Sequence, residues 1–298
     1  GAGEKLVQPE LGRCLELLAK RGWREFYFGQ IGHDIVSDMQ LRGGLLTRAD
    51  LSQVPVPRER PVLWGKYRGY KLATFPPPGA GRALVGILNI LESFEPQEID
   101  ADDLRSQVIL AHVFSHTLAE REQRPVAPEL YLQSRKKRMV DKRHAEQIAN
   151  KIRKLIELRS QPAPGQAQET SSGETTHLCA ADKEGNVVAL TQSIELVFGS
   201  KRVNSRHGFF YNNYMTTFEY KDMTHPYYLL PGAEPWSSVA PTIIYKKGRP
   251  SLTLGSPGSE RIATALAQVI TRVVDRKMTL DEAVEAPRLH AGRSGTIL

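Results

Sequence analysis

Apolar side chains recur at helical spacing through the first 158 residues of the chain. One run places Leu11, Cys14, Leu15 and Leu18 three or four residues apart, and Gly22 ends it. The segment Ala80–Phe94 is apolar on several sides, which predicts a buried helix. The predicted helices are Pro9–Arg21, Phe28–Arg42, Ala80–Phe94 (the buried one), Asp102–Glu122 and Arg143–Leu158, with a short helical turn from Thr47 to Asp50.

The second half of the chain alternates β-branched, apolar and hydroxyl residues, which favours strands. Gly185-Asn186 and Lys246-Lys247-Gly248 supply the turns of two hairpins. The predicted strands are Val62–Trp64, Tyr70–Thr74, Thr176–Ala181, Val187–Ser193, Arg206–Asn213, a run ending at Tyr245, and Ser251–Leu254. An amphipathic helix is predicted at Arg261–Val274, and Thr279 with Glu282 forms a capping-box pattern for a last short helix.

A polar tether, Arg159–Gly173, ends abruptly at the first hairpin. The strand opens with the paired threonines Thr175 and Thr176. A hydroxyl residue at the start of a strand, behind a loop that can be cut, is what an N-terminal-nucleophile hydrolase needs, because cleavage frees an α-amino group that can act as the base for that hydroxyl. The alternative is a strand that simply begins after a surface loop.

A glycine-rich turn, Gly255–Glu260, lies between the second hairpin and the predicted helix Arg261–Val274. Backbone N–H groups at such a helix start point outward and can hold a phosphate or an oxyanion. The turn lacks the Gly-Lys-Ser/Thr of a Walker loop and the spacing of a dinucleotide-binding motif. A turn that only caps the helix is the alternative.

Composition narrows the function classes. The chain of 298 residues is 40% hydrophobic and 24% charged, a globular balance, with a net charge of +7 that suits acidic ligands. No apolar run reaches the length of a membrane span, so no membrane segment is expected. The most basic tract, Ser134–Arg159, has no accompanying aromatic platform, so nucleic-acid binding is not expected. Cys14 and Cys179 are expected to be buried free thiols, and His112 and His116 are expected to be helix-face residues rather than metal ligands.

Several motifs in one order resemble the γ-glutamyltransferase (γ-glutamyltranspeptidase) family of N-terminal-nucleophile hydrolases. The first is YRGYKLATFPPPGAG, similar to the strand and proline-rich turn of the family, and the second is TTHLCAADKEGNVVALTQSI, similar to the start of its small subunit. FGS, NN, PWSSVAPT and GSPGS follow in the family's order. The match covers nearly the whole chain, and the resemblance leads us to expect that the family's N-terminal region and extreme C-terminus are not part of this sequence.

The resemblance implies an α+β fold, a four-layer αββα sandwich. It implies that residues 1–158 are the C-terminal part of a large subunit, that 159–174 form a linker, and that 175–298 form the small subunit. Autocatalytic cleavage between Glu174 and Thr175 is implied, with Thr175 as the nucleophile and Ser193 as a hydroxyl that helps activate it. The oxyanion hole would be the N–H groups of Gly258 and Ser259. Ser237 and Ser238 would hold the α-carboxylate of the substrate.

Three positions depart from the family pattern. Ser259 stands where a second glycine is usual, so a Cβ crowds the turn. Thr217 stands where the family has an Asp that binds the α-ammonium of the substrate, and Glu195 stands where it has an Asn that contacts the same group. Our hypothesis is that Glu195 supplies the negative charge that Thr217 lacks. The alternative is that recognition of the ammonium is lost and other acyl groups are preferred.

The resemblance implies no metal and no cofactor. The partners it implies are a γ-glutamyl small molecule or peptide, an acceptor amine or water, and the two subunits of one precursor. The alternatives are an acylase or poly-γ-glutamate depolymerase on the same scaffold, or an uncleaved relative that only binds. Localisation stays open, although the family is commonly periplasmic, secreted or on the extracellular side.

Overall fold

The computed structural model describes residues 3–53, 59–99, 103–123, 138–158 and 173–292. The helices are α1 (Pro9–Arg21), α2 (Arg24–Phe28), α3 (Gln30–Arg42), α4 (Arg48–Ser52), α5 (Gly81–Leu91), α6 (Leu104–Gln123), α7 (Lys142–Glu157), α8 (Arg261–Val274) and α9 (Leu280–Glu285). The strands are β1 (Leu63–Tyr67), β2 (Tyr70–Thr74), β3 (Gly173–Ala181), β4 (Val187–Leu196), β5 (Thr242–Lys246) and β6 (Arg249–Leu254). In these residues no helix combines the length and apolar character needed to cross a bilayer.

One compact unit combines Gly1–Arg60 with Leu196–Asn213. Burial would raise the pKa of Asp34, but hydrogen bonds from His207, Gln30 and Arg206 outweigh it and lower that pKa. Arg206 Nη1 donates to Asp34 Oδ1 at 2.6 Å, which ties the later segment to α3. The buried apolar residues of this unit are Cys14, Ile31, Ile35 and Leu51.

The second unit combines Pro61–Glu195 with Tyr214–Leu298 and contains an antiparallel sheet in the order β1-β2-β5-β6. At its centre β2 pairs with β5, so that Leu72 faces Ile244 and Thr74 faces Thr242. Because β1 and β2 precede Thr175 while β5 and β6 follow it, this sheet is built from both sides of the predicted cleavage site.

The helix α5 forms the centre of the second unit. Every one of its 11 residues is buried, and it contacts β1, α6, α7 and α8. A Cβ at Gly81 would lie 2.2 Å from the carbonyl oxygen of Phe75, so only glycine lets the helix begin against the end of β2. Each buried leucine or isoleucine of α5 contributes roughly 1.5–3 kcal/mol, which makes this helix the main apolar anchor for the sheet and for α8.

β3 and β4 form a separate two-stranded sheet. Between them Asp182 Oδ1 accepts a hydrogen bond from Asn186 N at 2.8 Å, and Gly185 supplies the left-handed residue with φ +87°. This hairpin was predicted and is confirmed. Each strand extends three residues beyond its prediction at the end away from the turn, so Thr175 lies within β3 rather than just before it.

Most predicted helices are confirmed, and α8 agrees with its predicted bounds. The capping box of Thr279 with Glu282 is also confirmed, with Glu282 N donating to Thr279 Oγ1 at 3.3 Å. The single helix predicted at Phe28–Arg42 was wrong at its start. The chain instead forms α2, breaks at Gly29 and continues as α3, whose first N–H group, that of Gln30, donates to the Glu25 carboxylate at 2.6 Å. A Cβ at residue 29 would clash with that carboxylate, so glycine is required at the break.

Two further sequence predictions were wrong. Arg206–Asn213 is no strand, because its backbone and side chains bond to nearby residues such as Asn204, and one isolated bridge joins Val203 to Phe210. Cys14 is buried as predicted, and burial raises the pKa of its thiol. Cys179 is exposed instead, because it lies on a strand of a sheet only two strands wide. Most of the segment between the predicted helices Asp102–Glu122 and Arg143–Leu158 lies outside the described residues.

Candidate active site

The candidate nucleophile lies on β3 directly across from β4. Thr175 Oγ1 donates a hydrogen bond to Ser193 Oγ at 3.2 Å, and the backbone N–H of Glu195 donates to the same oxygen at 2.9 Å. The hairpin pairing therefore brings together the two hydroxyl groups that the sequence placed 18 residues apart. Because the Glu195 N–H on the same strand holds Ser193 Oγ in place, Ser193 Oγ fixes the position of the Thr175 hydroxyl.

The same face of the hairpin continues with a histidine. His177 Nδ1 lies 2.8 Å from Thr191 Oγ1, and its Nε2 lies 3.1 Å from Cys179 Sγ. Burial lowers the pKa of His177, which favours its neutral form. A Cβ at Gly255 would lie 2.1 Å from the His177 ring, so glycine is required there. The strand that carries Thr175 is thereby fitted against the first residue of the glycine-rich turn.

The glycine-rich turn leads into α8 through two residues with positive φ. Gly258 has φ +119°, which only glycine adopts easily, and Ser259 has φ +53° in the left-handed region. The Gly258 carbonyl oxygen accepts from Arg261 N at 3.0 Å, which begins the helical hydrogen bonding. The crowding predicted for Ser259 therefore appears as a strained backbone.

The two serines predicted to hold a carboxylate lie in an extended segment just before β5. Ser237 N donates to the carbonyl oxygen of Pro78 at 3.1 Å, and Val239 N donates to Ser237 Oγ at 3.3 Å. Ala80 N donates to the carbonyl oxygen of Val239 at 2.9 Å. The proline-rich turn before α5 thus holds the serine segment in place.

These pieces surround a cavity of about 330 Å³. Its lining residues are Thr175, Ser193, Glu195, Tyr214, Thr217, Phe218, Glu219, His225, Trp236, Ser237, Ser238, Val239, Ser259, Glu260 and Ile262. Seven of the predicted site residues line it. Gly258 lies next to the lining residue Ser259 in the turn, and the Glu174 side chain lies outside the described part of the chain.

Glu195 and Thr217, the two departures from the family pattern, both line this cavity. Glu195 has φ +78°, an uncommon conformation for a residue other than glycine. Thr217 Oγ1 donates to the carbonyl oxygen of Tyr214 at 2.8 Å within the 3₁₀ turn Tyr214–Thr217. The Thr217 hydroxyl is therefore engaged with its own backbone, and the cavity lining contains the carboxylates of Glu195, Glu219 and Glu260.

Several lining residues were missed by the sequence reasoning. Glu219 and His225 lie between the predicted strands, where no periodicity in the sequence points to a site. Backbone hydrogen bonds from Lys221 and Asp222 lower the pKa of Glu219, which keeps it ionised. Trp236 could have been predicted as a lining residue, since it directly precedes the predicted serine pair Ser237-Ser238 in the sequence.

The model of the γ-glutamyltranspeptidase family matches residues 1–297. The chain belongs to the γ-glutamyltranspeptidase family. It is 34% identical over 303 residues to a glutathione hydrolase proenzyme of Escherichia coli, a match that covers 97% of this chain and 51% of that protein. It is also 34% identical to an acylase ACY 1 proenzyme of a Pseudomonas species, over 96% of this chain and 50% of that protein. The chain thus spans about half the length of these relatives.

Among solved structures, a cephalosporin acylase from Bacillus halodurans is similar to this chain, with a TM-score of 0.80 at 22% identity. The likeness covers 96% of this chain and 51% of that one. It confirms the predicted fold class, an α+β fold of the four-layer αββα type. The division into subunits at 158 and 174 stays a prediction.

One cluster of this γ-glutamyltranspeptidase family member has side chains that can bind metals. His116, Glu120 and His144 present ligand atoms within 4.8 Å of one another. Arg138 Nε lies 3.2 Å from His144 Nδ1 and 3.7 Å from Glu120 Oε1, so a positive charge already occupies the side where a cation would bind. The cluster is better explained as an ion-pair network that joins α6 to α7. That the chain uses no metal stays a prediction.

Acid should weaken this network. Burial alone would raise the pKa of Glu120, but the neighbouring His116, 3.7 Å from its Oε2, and His144, 3.0 Å from its Oε1, lower it from 4.5 to about 2. Its stabilisation is therefore present above pH 4.5 and is lost as the pH falls towards 2. We expect Glu120→Gln to lower the free energy of unfolding by about 1–2 kcal/mol at neutral pH. In urea titrations the difference from wild type should shrink below pH 4.5; a difference independent of pH would contradict this.

Replacing Ser259 by glycine should relieve the strained turn. A left-handed L-residue costs about 1–2 kcal/mol, and the added chain entropy of glycine offsets about 0.5–1 kcal/mol of the gain. We expect Ser259→Gly to raise the free energy of unfolding by up to about 1 kcal/mol, with its backbone N–H retained. Thermal unfolding measures this, and Ser256→Gly in the same turn is the control, because Ser256 has no positive φ. A lower melting temperature for Ser259→Gly than for wild type would contradict the expectation.

Proposed function

We propose that the protein containing this chain is a γ-glutamyl hydrolase or transpeptidase that uses Thr175 as its nucleophile. The observation that carries the proposal is the pair of hydroxyl groups, Thr175 and Ser193, in a cavity that also contains Ser259 and the serine pair Ser237-Ser238. Membership of the family supports the reaction class, and the relatives named glutathione hydrolase proenzymes support a precursor that is processed.

Processing precedes activity in this proposal. Thr175 Oγ1 attacks the carbonyl carbon of Glu174, forms an ester and breaks the peptide bond, and the departing nitrogen takes up a proton. Water then hydrolyses the ester to leave the carboxylate of Glu174 and a free α-amino group on Thr175. That amine acts as the general base for the Thr175 hydroxyl, since no amide nitrogen can do so.

In the acyl-transfer step Thr175 Oγ1 attacks the γ-carbonyl carbon of the donor. The backbone N–H groups of Gly258 and Ser259 stabilise the oxyanion that develops, and one such donor typically contributes about 2.7–4 kcal/mol. The amine leaves with the proton that the Thr175 amino group has taken up. Water or an acceptor amine then attacks the acyl-enzyme and restores the free hydroxyl.

Two groups select the donor in this proposal. Ser237 and Ser238 hold its α-carboxylate, because both line the cavity and the Ser237 hydroxyl is oriented by Val239 N. Glu195 binds its α-ammonium in place of the acid missing at Thr217. An ion pair of this kind is stronger than a hydrogen bond between neutral groups.

An acylase is the second candidate. It is favoured by the absence of a carboxylate at Thr217 and by relatives named acylase, because a glutaryl or related donor has no ammonium to bind. A poly-γ-glutamate depolymerase would use the same chemistry on a longer substrate. An uncleaved relative that only binds is separated from all of these by the first test.

Removing the nucleophile should abolish both processing and turnover. We expect the full-length Thr175→Ala protein to remain one polypeptide on a denaturing gel, whereas wild type yields a fragment whose N-terminal residue is Thr175. Thr175→Ser keeps the hydroxyl and should still cleave. Thr176→Ala is the matched control, because Thr176 is exposed and points away from Ser193 on the alternating strand. Wild-type protein that stays uncut and forms no acyl adduct at Thr175 would overturn the proposal.

Neutralising Glu195 should weaken the binding of donors that carry an α-ammonium group. We expect Glu195→Gln to raise KM for γ-glutamyl-4-nitroanilide by about tenfold, the loss of one charged hydrogen bond, and not to raise KM for glutaryl-4-nitroanilide. Glu184→Gln, in the exposed turn between β3 and β4, is the control. An unchanged KM for the γ-glutamyl donor would refute the role of Glu195, and a wild-type preference for the glutaryl donor would favour the acylase.

A further inference from the structure

A buried arginine lies directly behind the serine segment. Arg121 is on α6 and is 6% exposed. Its Nη2 donates to the carbonyl oxygen of Ser237 at 2.7 Å, and its guanidinium carbon lies 4.2 Å from the centroid of the Trp236 ring. The Arg121 side chain therefore holds both Trp236 and Ser237, at the point where the cavity wall leads into the serine pair Ser237-Ser238.

The wall that Arg121 holds has no regular secondary structure, since residues 233–241 form neither helix nor strand. Its position therefore depends on individual contacts. Ser237 N donates to Pro78 on one side of the residue, and the Ser237 carbonyl accepts from Arg121 on the other. Tyr227 packs against Trp236, with ring centroids 5.6 Å apart. Without Arg121 the peptide after Ser237 loses its charged partner.

The charge of Arg121 also matters for what the cavity accepts. Among the described lining residues there are three glutamates, Glu195, Glu219 and Glu260, and no lysine or arginine. A substrate carboxylate placed at Ser237 and Ser238 would therefore be in a cavity whose charged lining side chains are negative. Arg121 and Arg82, both buried, line a small cavity on the other side of Trp236 and put positive charge one layer behind the serines.

We infer that Arg121 is a positioning residue for the carboxylate end of the donor. It does not line the main cavity; it acts through the Ser237 peptide and the Trp236 ring, and its charge favours an anionic group at the serine pair. This inference rests on the proposed function, because it assigns a substrate group to the same site.

The test compares two donors that differ only in the carboxylate. L-γ-Glutamyl-4-nitroanilide carries it, and 4-aminobutanoyl-4-nitroanilide lacks it but keeps the amine. In the full-length protein we expect Arg121→Met to raise KM for the first donor by about tenfold with little change in kcat, the loss of one charged hydrogen bond. KM for the second donor should not change, so discrimination between the donors falls by the same factor.

Arg153→Met is the matched control. Arg153 also stacks on an aromatic ring, with its guanidinium carbon 4.6 Å from the Phe94 centroid, and also donates to a backbone carbonyl, that of Ser93, but none of these residues lines the cavity. It should leave the discrimination at the wild-type value. Arg121→Lys keeps the charge with a simpler donor, so it should lose less discrimination than Arg121→Met.

Equal losses on both donors would show a merely structural role and overturn the inference, as would unchanged KM values. If Arg121→Met does not fold, Arg121→Gln, which keeps an N–H donor but removes the charge, decides: a reduced ratio of kcat/KM for the two donors supports the inference, and the wild-type ratio overturns it. If the wild-type protein neither cleaves before Thr175 nor hydrolyses either anilide, the proposed function itself is wrong. That result differs from an active wild type in which changes at Arg121 have no effect, which overturns only the inference.

Discussion

The burial of α5 is the constraint on which the second unit depends. A helix that is apolar on several sides must be surrounded, and β1, α6, α7 and α8 pack against it. Its start at Gly81 lies against the end of β2, and the proline-rich turn before it bonds to Ser237 and Val239. Packing around one helix therefore determines where the sheet, the serine segment and the start of α8 meet.

The candidate site is assembled from parts that are weak by themselves. A hairpin aligns Thr175 with Ser193, a glycine-rich turn presents Ser259, and an irregular segment presents the two serines. The fit of the His177 ring against Gly255 links the first of these parts to the second. The arrangement shows why a short motif in this chain carries little meaning until the others are in register with it.

Local pattern was enough to predict α8, the capping box of α9 and the hairpin that carries Thr175, since each follows from spacing within a few residues. The break between α2 and α3 was not visible, because it depends on where the Glu25 carboxylate lies in three dimensions. Residues such as His225, Glu219 and Arg121 reach the site or its wall from loops or from a distant helix, and no periodicity in the sequence encodes that meeting.

The order of strands in the main sheet has a consequence for how a processed molecule would behave. A cut before Thr175 leaves β1 and β2 on one polypeptide and β5 and β6 on the other, yet β2 remains paired with β5 and α5 remains packed on α8. The two polypeptides would stay together without a covalent link. Once fully denatured they would have to find each other by diffusion, so recovery after unfolding would become bimolecular and depend on protein concentration.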